Sequence, residues 1–117
     1  MINWYWKDGT LATTHDMDDE HNQGLYDDMR KIEEKLQDPK YKIVKQETIP
    51  NGKWVSTVWL GLDQRLGFEV ESDKPIIFET MVFPKKGDFS DLDCERYSTE
   101  EEAIAGHKEM VKKWSEL

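Results

Sequence analysis

Two apolar runs stand out from an otherwise polar chain, WVSTVWLGLD at residues 54–63 and PIIFETMVF at residues 75–83. Both are rich in β-branched and aromatic side chains, and the polar stretch between them marks them as two neighbouring antiparallel strands. Upstream, residues 41–49 alternate, with Tyr41, Ile43, Lys45, Glu47 and Ile49 on one side and Val44 among the others. Pro50-Asn51-Gly52 then makes a tight turn into the first apolar run. Pro75 suits the opening of the last strand, 76–83, where no backbone donor is needed. Residues 1–7 read as a short strand carrying Trp4, Tyr5 and Trp6, stopped by the turn dipeptide Asp8-Gly9. The acidic segment 10–24 reads as irregular or as a loose helix start, and Pro84 and Gly87 release the chain into an acidic loop.

Helical spacing occurs twice. Leu25, Met29, Ile32 and Leu36 recur at i, i+4, i+7 and i+11, a narrow stripe over residues 25–37 that Asp38-Pro39 ends. The second helix opens at Ser98-Thr99-Glu100-Glu101-Glu102, where Ser98 with Glu101 and Thr99 with Glu102 spell overlapping capping boxes. Its early acids, with Lys112 and Lys113 near its end, suit the helix dipole. Ala103, Ile104, His107, Met110, Val111 and Trp114 share its apolar face. The order β-α-β-β-β-α with short strand connections predicts an α+β fold: an antiparallel sheet of about four strands with two helices packed on one face. At 117 residues the chain forms a single domain, 1–117.

Composition sharpens this picture. With 37% hydrophobic and 35% charged residues, the core is thin, and five Trp, four Tyr and four Phe must supply much of it. Each such ring buries roughly 150–250 Å². The net charge of −9 is uneven: Asp16, Asp18, Asp19, Glu20, Asp27 and Asp28 occupy residues 15–28 without a Lys or Arg. Asp88, Asp91, Asp93, Glu95, Glu100, Glu101 and Glu102 face only Arg96 in residues 88–102. Such fields repel nucleic-acid phosphates and anionic membranes and attract basic partners. Solubility alone is the plainer reading of them. The lack of a membrane span or signal peptide and the single Cys94 predict a soluble, cytoplasmic protein without disulfides. The acids around Cys94 should raise its thiol pKa rather than activate it.

Candidate chemistry is sparse. Glu79 interrupts an apolar strand, where an unpaired carboxylate is costly. Alternation puts it with Ile77, Met81 and Phe83, opposite Phe78, Thr80 and Val82. It is either a ligand-facing carboxylate near His107, Arg96 or Thr57, or a structural group with an Arg or hydroxyl partner on a solvent-facing sheet. His107, on the buried helix face, is either a general base or a packed, hydrogen-bonded core residue. His15 and His21 bracket several carboxylates, but no standard metal spacing is matched. Asp91, Asp93, Glu95 and Glu102 are spaced partly like a calcium loop, yet Arg96 stands where that loop needs Gly. No phosphate-binding loop, nucleophile elbow or Cys-x-x-Cys pair is present. Neither a metal nor another cofactor is expected, and nothing in the chain argues for an enzyme.

The phrases WVSTVWLGLD, PIIFETMVF and RYSTEEEAIAGHKEMV, in this order, resemble a family of small proteins of unassigned function found in bacteriophages and their bacterial hosts. The resemblance covers residues 1–10, where members have a Tyr/Trp-rich strand and an acidic-Gly turn, and residues 53–113. Residues 10–52 match poorly, and Gln64 stands where members often have His. The resemblance implies a phage or prophage context and a compact α+β fold. Together with the acidic patches, it leads to the expectation of a non-catalytic accessory protein in the host cytoplasm. Such a protein would bind and inhibit a host protein with a basic surface, as an anti-defence (anti-CRISPR-like) or nucleic-acid-mimicking inhibitor, without binding nucleic acid or membrane itself. Asp88, Asp91, Asp93 and Glu95 are the expected contacts. The alternative is a binder that sequesters a signalling nucleotide, with Trp4, Trp6 and Trp59 stacking on bases and Lys or Arg reaching phosphates. Glu79, His107 and Trp59 are the candidate ligand-facing polar site.

Overall fold

The computed structural model describes residues 2–15, 23–65 and 74–116. Along the chain lie β1 (Ile2–Tyr5), β2 (Leu11–His15), α1 (Gln23–Leu36), α2 (Pro39–Lys42), β3 (Ile43–Thr48), β4 (Trp54–Trp59), β5 (Phe78–Phe83), β6 (Asp93–Tyr97) and α3 (Glu100–Ser115). The fold is α+β, as the pattern predicts. Strands β3 to β6 form an antiparallel sheet in chain order, and α3 packs across one face of it. Ile32 of α1 is fully buried with Trp59 and Phe78 on that same side.

Strand membership differs from the sequence reading in three places. Strand β1 pairs with β2 in a separate two-stranded sheet. Residues 11–15 fold back because Asp8 Oδ1 accepts from the Thr10 amide and hydroxyl at 2.9 and 2.6 Å, with Gly9 at φ +90°. The fourth strand of the main sheet is β6, inside the stretch that reads as an acidic loop. An edge strand tolerates this charge, because one of its sides has no strand neighbour among the described residues. Finally, Asp38 caps a one-turn helix, α2, by accepting from the Lys40 amide at 3.0 Å, so β3 starts only at Ile43.

Register fixes what each sheet face holds. Val55↔Val82, Thr57↔Thr80 and Trp59↔Phe78 share one face, while Ser56↔Met81 and Val58↔Glu79 lie on the other. Val55, Thr57, Trp59, Phe78, Thr80 and Val82 are all fully buried, which marks theirs as the face under α3. The apolar core on this side has two parts. One gathers Ile32, Trp59, Ile77, Phe78 and Ala103; the other gathers Ile49, Val55, Val82 and Met110. The Thr57–Thr80 pair lies between them.

The β1–β2 hairpin is stitched to the segment after β4. The Tyr5 amide donates to Gly61 O at 2.8 Å, and Trp59 Nε1 donates to Tyr5 O at 3.1 Å. Gly61 is required twice over, since its φ is +76° and a Cβ would stand 3.0 Å from the Trp59 ring and 3.2 Å from that of Trp4.

Candidate functional site

The deepest polar group is a chain of side chains under α3. The Thr57 and Thr80 hydroxyls are 2.6 Å apart, Thr57 Oγ1 is 2.7 Å from His107 Nδ1, and His107 Nε2 is 2.9 Å from Glu47 Oε2. Strand register supplies Thr57 and Thr80 as a facing pair, and the apolar stripe of α3 aims His107 down between the two core clusters. Glu47 reaches His107 from β3, where its partner across the ladder is Val55 on the covered face. An ionised Glu47 accepts from Nε2–H, which leaves the Nδ1 of a neutral ring to accept from the Thr57 hydroxyl. That hydrogen bond from His107 holds the Glu47 carboxyl below its ordinary pKa, and Lys45, 3.3 Å away, adds to the effect.

The sequence hydroxyl–imidazole–carboxylate has the connectivity of a hydrolytic triad. Thr57 and Thr80 are nevertheless 0% exposed and His107 1%. A general base must come within hydrogen-bond reach of a substrate proton, and this imidazole has both ring nitrogens occupied inside a closed core. The arrangement positions strands against helix; it is not built to admit a substrate.

Glu79 and His107 lie on opposite faces of the sheet and do not form one site. Glu79 is 8% exposed, and the Arg96 Nε, from the neighbouring strand, donates to its Oε2 at 3.0 Å. Cys94 follows on the same face of β6. Burial first, and then the Glu79 charge, push the Cys94 thiol up to about 11. Trp59 is fully buried and stands edge-on to Tyr41 at 5.0 Å, so no part of its ring is available for stacking on a ligand. Trp4 and Trp6 are half-buried against the same cluster.

The four acidic candidates divide into two pairs. Asp88 and Asp91 lie in the turn between β5 and β6, where Asp88 Oδ1 accepts from the Ser90 amide at 2.9 Å and Asp91 is exposed. Asp93 and Glu95 lie on the α3 side of β6, opposite Val82 and Thr80. Asp93 is engaged by Lys113 Nζ at 2.7 Å and Trp114 Nε1 at 2.9 Å, and these bonds, Lys113 first, lower its pKa. Glu95 is exposed. Between Asp88 and Asp91 stands Phe89, 85% exposed, its ring edge-on to Phe83 at 6.5 Å; Phe83 in turn lies 5.6 Å from Trp54. This aromatic row runs off the open face of the sheet into the acidic turn. Sequence reasoning passed over Phe89, although a lone ring among acids was visible. It also missed Glu47 as the partner of His107, although alternation put Glu47 on the side of Ile49.

Two concavities accompany these features. A cleft of about 400 Å³ lies between the Lys7–Gly9 turn and the start of α3, lined among others by Lys7, Lys74, Ser98, Thr99 and Glu100. Its polar groups are largely committed: Lys7 pairs with Glu100 at 3.7 Å, and Thr99 closes the capping box with Glu102. A groove of about 300 Å³ runs between β6 and α3. Among the described residues no three metal-ligating side chains come together, and no helix is long and apolar enough to cross a membrane. The carboxylates between His15 and His21 lie outside the described residues, as does His21. Compared with protein-family models, with curated proteins and with solved structures, the chain finds no match in any of the three.

Proposed function

We propose that this chain is a non-catalytic binding protein that engages a partner protein of basic surface. The observation that carries the reading is Phe89, an 85% exposed ring between Asp88 and Asp91. Energetically important contacts in protein interfaces are often aromatic anchors, and surrounding acids steer a basic partner toward them. The sealed Thr57–His107–Glu47 chain supports the non-catalytic half of the reading. Joined to the phage-family resemblance, the reading extends to an accessory protein that inhibits a host factor. In that role its acidic surface occupies a groove meant for nucleic acid.

The test is a pull-down from bacterial lysate at low salt with wild-type, Phe89→Ala and Asp88→Asn/Asp91→Asn proteins. The wild type should retain one stoichiometric protein that moderate salt releases. Phe89→Ala should lose it, and the double variant should associate more slowly with a flatter salt dependence. Equal retention by Phe89→Ala overturns the reading. A second reading, a small-molecule binder for a phosphorylated ligand, rests on Lys7 and Lys74 in the 400 Å³ cleft. A rise in melting temperature with a cyclic nucleotide, abolished by Lys7→Ala, would favour it over the first.

A further inference from the structure

We infer that the groove between β6 and α3 is an arginine pocket, which receives a guanidinium side chain from an extended basic segment of the partner. The inference rests on the reading above, that the partner is basic. Six residues line the groove: Glu95 and Tyr97 from β6, and Gly106, Glu109, Met110 and Lys113 from α3. Its floor is apolar, for Met110 is 3% exposed and Gly106 has no side chain. The Tyr97 ring lies directly across Gly106, so closely that a Cβ at that position would fall within the phenol. An aromatic wall beside a thioether is the surface on which a planar guanidinium stacks.

The rim has the complementary charge. Glu95 and Glu109 are both exposed, and Glu95 also acts through its charge on Lys113. Among the described residues Lys113 is the one cation on the rim, and Asp93 already engages it at 2.7 Å. The Tyr97 hydroxyl points away from the groove, toward the buried Thr80, so the wall that the groove meets is the flank of the ring. A guanidinium brings several N–H donors, enough for two carboxylates together, whereas an ammonium is a compact, strongly hydrated charge that cannot stack. Strand β6 is also the edge of its sheet, and no described strand pairs with its outer side. An extended segment can therefore run beside it with one side chain in the groove.

Amide chemical shifts of isotope-labelled protein, followed during titration with capped hexa-arginine and capped hexa-lysine at low ionic strength, test the assignment. Hexa-arginine should move Tyr97, Gly106 and Glu109 most, and should bind at least about fivefold more tightly than hexa-lysine. Glu95→Gln/Glu109→Gln should weaken it about tenfold, while Asp88→Asn/Asp91→Asn, which removes the same charge from the turn, should change it less than about twofold. Shifts centred on the turn, equal losses in the two double variants, or equal affinity for lysine would overturn the pocket. The outcome is separable from that of the proposed function. Arginine mapping to the groove with partner capture unchanged in Phe89→Ala keeps the pocket and removes Phe89 as anchor. Capture lost in Phe89→Ala, with a groove indifferent to arginine, does the reverse.

Discussion

On the face of the main sheet covered by α3, Thr57, Thr80 and His107 are at most 1% exposed, and each bonds to another at 2.6–2.7 Å. On the opposite face Glu79 is nearly as buried, at 8%, yet its partner is the Arg96 side chain, which is 48% exposed. Both faces hold polar groups inside apolar strands. Where the helix excludes water, neutral hydroxyls and an imidazole satisfy one another, and only the end of the chain, Glu47, reaches toward solvent. Where no described helix lies, a full charge is tolerated because its counter-ion stays half in water. The covered face fixes the architecture, and on the open face the aromatic row runs out to the exposed Phe89.

The largest expected effect comes from breaking the covered face. His107→Ala leaves a cavity and takes a hydrogen-bond partner from both Thr57 and Glu47, at a cost of about 3 kcal/mol in denaturant unfolding. Glu79→Gln should cost about 1 kcal/mol, because the exposed half of its ion pair contributes little. Equal losses would dissolve the distinction between the faces. The same variant alters the acid limb of stability. The Glu47 pKa is depressed in the folded state, chiefly by His107. Its contribution is therefore complete above the unfolded value, about 4.3, and is lost as pH falls through the lower folded value. Removing the imidazole should flatten the stability profile below about pH 4.

Next in size is Gly106→Ala. In an exposed helix this change gains roughly 0.5–1 kcal/mol. Here the new methyl meets the Tyr97 ring, and overpacking should turn the gain into a net loss of about 2 kcal/mol. In a Tyr97→Ala background the ring is gone and the same substitution should become stabilising. A double-mutant cycle in urea that showed no change of sign would mean that Tyr97 does not pin α3 to β6.

How much of this was open to sequence reasoning depends on distance along the chain. Strands β4 and β5, helix α3 and the buried placement of His107 follow from local periodicity, and of the two overlapping capping boxes the Thr99–Glu102 pair forms. Strands β2 and β6 were invisible because their apolar content is low; pairing with an already formed neighbour makes them strands. The partner of His107 lies sixty residues away at Glu47, and that of Glu79 seventeen away at Arg96. Each pairing depends on a register or helix placement that no local pattern encodes. Phe89 was missed for another reason: exposure of a ring is a property of the folded surface.

The smallest effect examines whether the open face excludes water at all. Cys94 lies there beside Glu79, and its thiol is pushed up to about 11, by burial first and by the Glu79 charge next. The folded protein should therefore react slowly with a disulfide reagent at pH 8, since only the thiolate attacks. Glu79→Gln removes the second cause and leaves the first, so the reaction should quicken only a few-fold, well short of the unfolded chain. The sign of the linked stability follows: with the folded pKa raised, the contribution of the protonated thiol is intact below the unfolded value of about 8.5 and is lost as pH climbs toward the folded one. A wild-type thiol titrating near 8.5 would show a water-wet face, with Glu79 held by Arg96 alone. A thiol near 11 that barely responds to Glu79→Gln would instead make burial the sole cause, and the open face would resemble the covered one more closely than its charges suggest.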